Sequence, residues 1–534
     1  MRKVKVSFSD GQNFELDRGY VAHIDTKKCV NCGTCRENCP VEAITEAQRR
    51  ICRVCPECTD QPVMRLDDID AFCTKQSCTT ACPVGISPQG YIGLAKNGDL
   101  ENAYRIIWEK NPLPSVCAHI CHHPCEQVCK RGVLVDEPMA IRGIKRYLDE
   151  NVDYTRPKYP RLHDERIAVI GAGPAGLSAG HFLSSLGYDV TVFEGNNEPG
   201  GMMVRAIPEF RLDRAAVRRD ISKLEEAGLH IECNSLLGKK QIEELRKEYD
   251  AVVVAAGTPH GKEITWVKKW NYDGVYTAIQ FMDFVNNDQD TYRMPHQNFV
   301  VDGAEGIVIG GGSVAMDTAR AALRLGAKKV TVVCLEEGDY VPAHKWEKEE
   351  AAEEGVVFME GYSPKAYTGR VNTLEGVDFA RVTSFEKDEN GKISFTTDDK
   401  NLVHVPATFC ITAIGQYSDA IYPAEDGASV FYAGDIAGGP CSVIDAVASG
   451  RKVAFAVDAA IQERTLRNGE IGHELVQAPV EEKIFPCNRR KTRHHQRPMM
   501  DAAERLKSFD DVEKTYTDRQ FGQEVLRCLG CGYE

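Results

Sequence analysis

The sequence predicts an α/β chain: two doubly wound units, preceded by a helical domain and a small α+β module. Three observations carry that reading. Fourteen of the 21 cysteines fall between Cys29 and Cys129, and two more, Cys528 and Cys531, close the chain. Two glycine-rich turns, at Gly171 and Gly310, each stand between a buried-strand pattern and a helix pattern. From residue 166 to 460, strand and helix signals alternate, as they do in doubly wound sheets. A chain of 534 residues is long enough for several domains, each with its own core.

In chain order, Val4–Phe8 and Phe14–Leu16 read as a short hairpin. The run Cys29-x2-Cys32-x2-Cys35-x3-Cys39-Pro40 follows, the bacterial ferredoxin spacing for a [4Fe–4S] cluster. Residues 1–62 are therefore expected to form a ferredoxin-like module. Its second run, Cys52, Cys55 and Cys58, lacks the Cys-Pro partner of a full repeat, so structural zinc on these three with one tail cysteine stands as the alternative. Residues 63–160 read as a helical domain: Ile92–Ala95 and Leu100–Trp108 carry apolar spacing near 3.6, broken by Gly98-Asp99. It holds Cys73, Cys78, Cys82, Cys117, Cys121, Cys125 and Cys129. Pro157 to Pro160 mark a linker. The segments 161–295 and 405–475 make the first α/β unit, 296–404 the second, and 476–534 a polar, irregular tail. Val453–Ile461 reads as a core helix.

Bulk properties narrow the function. The formal net charge of −14 disfavours a nucleic-acid partner. No apolar region follows Met1-Arg2-Lys3 and no run of 18 apolar residues occurs, so a soluble, cytoplasmic protein is expected, with no membrane association. In a reducing compartment, dense cysteine means metal or redox chemistry rather than disulfides.

Arg166-Ile-Ala-Val-Ile170 runs straight into Gly171-Ala172-Gly173-Pro174-Ala175-Gly176, a helix, and the strand Asp189–Phe193 ending in Glu194. Glycines there permit the tight turn, the approach of backbone to a pyrophosphate and close helix packing, and the terminal acid can accept from ribose hydroxyls. The second unit repeats the pattern: Gly306-Ile-Val-Ile309, Gly310-Gly311-Gly312-Ser313-Val314-Ala315, a helix, and the strand Lys329–Leu335 followed by Glu336. Ala315 replaces the third glycine, which the motif allows. Two Rossmann-like units in one chain fit a flavin site and a nicotinamide site.

Further segments carry a resemblance. They are Cys73-x4-Cys78-x3-Cys82-Pro83, the Asn111–Cys129 cysteine run, Ala140–Tyr147, Glu198–Met203, Ile207–Leu212, Gly434-Asp435 and Gly439–Ile444. In these, residues 63–534 resemble the small subunit of glutamate synthase, the N-terminal part of dihydropyrimidine dehydrogenase and the NADPH-side subunit of ferredoxin:NADP transhydrogenase; the N-terminal module is an addition. The resemblance implies FAD on Gly171, Ala172, Gly173, Pro174, Ala175, Glu194, Gly201, Met202, Arg211, Leu237, Gly434, Asp435, Ser442 and Val443. It implies a nicotinamide nucleotide on Gly310, Gly311, Gly312, Ser313 and Val314, with Glu336 at its ribose, and Ala413, Ile414 and Gly415 at the nicotinamide–flavin contact. Hydride passes from nicotinamide to flavin without a catalytic side chain, and the flavin bridges two-electron and one-electron carriers.

Departures from the family shape the remaining expectations. Asp70 stands where a cysteine is usual, so an Asp ligand and a thiolate from another segment are both open. Lys145 stands where some members place Glu or Gln. Sixteen clustered or terminal cysteines would suit three or four [4Fe–4S] clusters, with Cys528 and Cys531 expected to join N-terminal cysteines. The second nucleotide strand ends in Leu335-Glu336-Glu337 rather than in basic residues, which favours NAD(H) over NADP(H); Lys345 or Lys348 on a 2′-phosphate is the alternative. His119, His122 and His123 read as supporting or surface groups, Arg489–His495 as a solvated segment, and Cys233, Cys334, Cys410, Cys441 and Cys487 as small core residues. No terminal substrate site is visible. The expectation is an NAD(P)H-dependent iron–sulfur flavoprotein oxidoreductase, one subunit of a larger complex, exchanging electrons with another redox subunit or a ferredoxin. A self-contained reductase, glutamate synthase small subunit proper and a scaffold with decayed sites are the competing readings.

Overall fold

The computed structural model describes residues 78–134, 136–267, 272–287, 301–371, 373–388, 393–418, 429–462, 492 and 494–529. It adds the backbone of four short strands, Val4–Ser7, Asn13–Leu16, Glu482–Ile484 and Cys531–Tyr533. The first two pair antiparallel, Val4 opposite Leu16, as the hairpin pattern predicts.

The helical domain follows its apolar periodicity. Pro88–Lys96 begins at Ser87, whose side chain accepts from the Gly90 amide, and Leu100–Lys110 begins at Asp99, which accepts from the Asn102 amide. These caps satisfy amides that have no partner inside the helix. Gly98, with φ +79°, turns the chain between the two. Pro114–Ile120, the short Pro124–Gln127 and Lys130–Leu134, and Ile141–Asn151 complete the domain, whose core includes Tyr91, Tyr104, Ile107, Val116 and Ile144.

Two parallel five-stranded sheets follow. The first orders Val430–Tyr432, Ala251–Val254, Arg166–Ile170, Asp189–Phe193 and His230–Glu232. The second orders Val357–Glu360, Lys329–Cys334, Glu305–Ile309, Phe409–Thr412 and Val275–Thr277. Its edge strand at 275–277 and its strand at 409–412 lie outside the 296–404 segment assigned from the sequence. Both are short, and they join because parallel pairing to Ile307 and Cys410 buries them. A three-stranded antiparallel sheet, Tyr362–Arg370, Thr373–Lys387 and Ile393–Pro406, is appended to this unit.

The Val443–Ile461 helix lies along Pro174–Leu186. Ser178 Oγ donates to the Val447 carbonyl at 2.7 Å, and a Cβ on Gly450 would fall 2.1 Å from the Ala175 carbonyl oxygen, so this crossing requires glycine. Val453–Ile461 is thus part of a packed helix, and among the described residues no helix is long and apolar enough to cross a membrane.

The tail is more ordered than its polarity predicts. Ala502–Arg505 and Asp518–Val525 are helical, the second started by a Thr517–Gln520 capping box, and Phe521 and Val525 are buried. Short helices of this kind are held by packing rather than by propensity, and a composition reading cannot see the surface they pack on.

Candidate cofactor groove and cysteine chambers

The glycine turn of the first unit opens a groove with about 2480 Å³ of empty space, counting its mouth to solvent. Gly171 has φ +100°, and an added Cβ would meet the Ala255 carbonyl oxygen at 2.6 Å. On Gly176 a Cβ would fall 1.8 Å from the Gly171 oxygen. Glu194 is buried and accepts from the Ala172 amide at 2.8 Å and the Asn196 amide at 2.9 Å. Its carboxylate is thereby fixed beside the turn. From the other side, Gly434 (φ +73°) donates its amide to Ser449 Oγ at 2.8 Å, and Ser442 caps the Val443–Ile461 helix, directing that N-terminus at the groove. A 19-residue helix presents partial positive charge there.

Of the residues expected to hold FAD, Gly171, Gly173, Pro174, Ala175, Glu194, Gly201, Met202, Leu237, Gly434, Asp435, Ser442 and Val443 line this groove. Ala172 is buried behind it. Arg211 is not in it. Its guanidinium pairs with Asp317 and Glu347, each at 2.8 Å, and lies over the Trp346 ring. Two carboxylates of the second unit outcompete the groove for this cation. Asn196, Thr258, Gln280 and Tyr417 also line the groove and were not foreseen. Thr258 and its neighbours follow the C-terminal end of the Ala251–Val254 strand, where ligands of parallel sheets collect, so strand order could have found them.

The second turn is built alike but stands more open. Gly310 has φ +138°, and its added Cβ would meet the Ala413 oxygen at 2.3 Å. Beside Gly312 there is open space. Val314 is exposed at the helix start, and Ser313 Oγ donates to Glu347 at 2.5 Å. Glu336 is buried, with Oε2 3.3 Å from where a Cβ on Gly311 would lie, and burial pushes its carboxyl up. Glu337 is exposed and pairs with Arg381. Lys348 pairs with Glu360 and Lys345 with Glu349. Ala413 donates its amide to the Ile309 carbonyl at 2.7 Å, and Gly415, φ +107°, turns the chain back after Ile414.

The described cysteines of the helical domain gather around two chambers. Cys82, Cys121 and Cys125 line one, with Tyr91, Lys145 and Ile444, that has about 430 Å³ of empty space counting its opening to solvent. Cys78, Cys129 and Cys528 line another with about 410 Å³ counted in the same way. Pro88 and Ile141 face both. Cys117 lines neither chamber and is fully buried, its thiol pushed up to about 12 by burial. Burial likewise pushes up the Cys82, Cys125 and Cys129 thiols, a setting in which a bound metal stabilises the thiolate. The amides of His123 and Met139 donate to Cys121 Sγ and Cys129 Sγ, each at 3.4 Å. Among the described residues, no three Cys, His, Asp or Glu side chains converge as a single-ion site. Lys145 is buried among the thiols: burial works against its ammonium, the Cys121, Cys117, Cys125 and Cys82 sulfurs favour it, and the net direction is up.

His119 is buried on the Ser115 carbonyl and Asp511, while half-buried His122 stacks on His344 and half-buried His123 lies tilted against Trp346 of the second unit. Thr492 and His494 dock on Asp136 and Glu137 rather than standing in solvent. Cys334 and Cys410 are buried core residues, Cys233 is half-buried, and Cys441 is exposed on the groove, donating to Asp435 at 3.1 Å. Cys29, Cys32, Cys35, Cys39, Cys52, Cys55, Cys58, Cys73, Cys487 and Asp70 lie outside the described residues, as does the Cys531 side chain. The zinc alternative falls there too.

Comparison with known proteins agrees with this geometry. Residues 165–450 match the family described as pyridine nucleotide-disulphide oxidoreductase, 42–156 match dihydropyrimidine dehydrogenase domain II, 4Fe-4S cluster, and 22–45 match a 4Fe-4S binding domain. The chain is 30% identical over 509 residues to the beta subunit of an NADP(+)-dependent formate dehydrogenase from Moorella thermoacetica, covering 85% of this chain and 70% of that one. It is 30% identical over 410 residues to the PreT subunit of NAD-dependent dihydropyrimidine dehydrogenase from Escherichia coli, covering 72% and 91%. In structure it is similar to a point variant of FprA from Mycobacterium tuberculosis, with a TM-score of 0.50 at 16% identity, covering 70% of this chain and all of that one; this likeness concerns the fold alone.

Proposed function

Because the chain belongs to the pyridine nucleotide-disulphide oxidoreductase family and carries iron–sulfur domains ahead of it, we propose that it is the flavin and iron–sulfur subunit of a larger redox enzyme. It exchanges hydride with NAD(H) and single electrons with a partner redox subunit or a ferredoxin. FAD in the groove would convert between hydride and single electrons, and [4Fe–4S] clusters, three or four per chain, would carry the latter.

One observation carries the reading. Val443 lines the groove and Ile444, the next residue, lines the Cys82–Cys121–Cys125 chamber. That chamber shares Pro88 and Ile141 with the Cys78–Cys129–Cys528 chamber. Groove and chambers thus adjoin: the consecutive residues Val443 and Ile444 line groove and first chamber, and Pro88 and Ile141 line both chambers. The chain's own groups do the positioning. Gly173 leaves room for a pyrophosphate, Gly171 lets the turn close on Ala255, Glu194 is fixed to accept from a ribose, and the Val443–Ile461 N-terminus favours negative charge at the groove. In the chambers, Cys82, Cys121 and Cys125 on one side and Cys78 and Cys129 on the other would bind iron.

NAD(H) is the proposed nucleotide. Glu336 against Gly311 would accept from an unmodified ribose and repel a 2′-phosphate, while Lys348 is engaged by Glu360. So many thiols fit a cytoplasmic enzyme. The test is anaerobic purification from the native source, with FAD, iron and zinc quantified and co-purifying chains identified. The reading predicts flavin, about twelve or more irons per chain, and a second redox subunit. A monomer holding flavin without iron would overturn it.

A further inference from the structure

We infer that Cys528 is a cluster ligand of the helical domain: the tail returns across the protein to place its thiolate in the chamber of Cys78 and Cys129. This would supply the thiol that the sequence lacks at Asp70. The inference rests on the cluster reading above and assigns one ligand within it. It differs from the expectation that Cys528 and Cys531 join N-terminal cysteines, which lie outside the described residues.

The chamber itself is the first argument. Cys78, Cys129 and Cys528 come from three separate segments, and the third is about 400 residues away in sequence, yet they line one space. Counted by sequence, Cys73 and Cys78 belong to one motif and Cys129 closes the other. One thiolate is then missing from a set of four.

The second argument is how firmly the tail is held. The carbonyls on both sides of the Cys528 Cα carry cations: Arg131 donates to the Arg527 oxygen, and Lys96 Nζ donates to the Cys528 oxygen at 2.6 Å. Arg131 is buried and grips Asp136 with two bonds of 2.7 Å, and Arg527 donates to the same Asp136 at 3.1 Å. Glu524, also buried, accepts from the Ala140 amide at 2.9 Å and from Arg527 at 2.7 Å. Upstream, the Phe521 ring stacks on Tyr147 with centroids 3.8 Å apart. Tyr516 covers Gly143 so closely that a Cβ there would meet its ring at 2.8 Å. Chain termini usually fray, and buried charge pairs are costly unless every partner is placed. Here they fix the main chain around one cysteine.

The chemistry suits the position. Ligation removes the thiol proton and leaves a thiolate bonded to iron, and amide donors such as Met139 N–H on Cys129 Sγ already serve a sulfur in this chamber. Arg131 and Lys96 bind main-chain carbonyls, bonds that serine or alanine at 528 would keep, so a purely structural tail should tolerate either.

The full-length holoprotein, prepared anaerobically, decides it. Iron per FAD and the EPR spectra of oxidised and reduced protein are compared for wild type, Cys528→Ala, Cys528→Ser and Cys129→Ala. Cys528→Ala should keep its FAD, lose about one to four irons, and alter the same EPR component that Cys129→Ala alters. Cys528→Ser should shift that component's signal even where iron is retained, which keeps the question decidable if the alanine variant folds poorly. Unchanged iron and unchanged spectra in both Cys528 variants would overturn the assignment while leaving the cluster reading intact. A wild-type protein without iron would instead overturn the cluster reading itself.

Discussion

The two glycine turns follow one pattern and end in different sites. Both use a first glycine at positive φ, pressed by a returning carbonyl, Ala255 for Gly171 and Ala413 for Gly310. Both set an acid against the loop, Glu194 and Glu336. They part at the third position. Gly176 has no room for a methyl, whereas Ala315 carries one in a fully buried position. They part again in enclosure: the first turn lies at the bottom of a groove walled by Met202, Leu237, Asp435 and the Val443–Ile461 helix, while the second has open space beside Gly312 and an exposed Val314. A walled site suits a resident cofactor and an open one suits a nucleotide that enters and leaves each turnover. The same local motif serves both because the enclosing residues come from elsewhere in the chain.

Substitutions can break this contrast. The largest effect is expected for Gly176→Val, whose side chain would collide with the Gly171 carbonyl. The purified variant should hold less than about a tenth of the wild-type FAD, measured after heat release, since the helix can no longer close on the turn. Gly310→Val should separate the sites. FAD content should stay near wild type while kcat/KM for NADH falls by about a hundredfold or more; concomitant FAD loss would show that the two units do not act independently.

Smaller changes sharpen it. Leu335→Arg with Glu336→Arg should shift the NADPH-to-NADH ratio of kcat/KM by roughly tenfold to a hundredfold, and no shift would mean this strand end does not read the ribose. Glu194→Gln keeps the shape but turns an NH2 toward the Ala172 or Asn196 amide, so FAD should bind at least about tenfold more weakly, by roughly 1.4 kcal/mol or more, in fluorescence titrations of the deflavinated protein.

What the sequence made legible was local. The glycine turns, the Glu194 and Glu336 strand ends, the break at Gly98-Asp99 and the cysteine runs are each set by residues within a few positions of one another. The pairing of Arg211 with Asp317 and Glu347 was not legible, because these partners lie more than a hundred positions away and no nearby pattern announces them. Trp346 escaped notice for the same reason: Arg142, Arg211 and Arg497, from three different regions, all lie over its ring. The tail read as irregular because its helices owe their stability to Tyr147 and Gly143 on the Ile141–Asn151 helix. The short strand Val275–Thr277 was missed because three residues give no alternation to read.

The central claim is that groove and cysteine chambers form one connected path, and counting electrons tests it most directly. Oxidised holoprotein is titrated anaerobically with NADH, and dithionite-reduced holoprotein with NAD+, with flavin and cluster absorbance followed together. A connected path predicts that in at least one direction more than two electrons exchange per FAD, the excess drawn from cluster absorbance. Two electrons per FAD in both directions, with cluster absorbance unmoved, would contradict it.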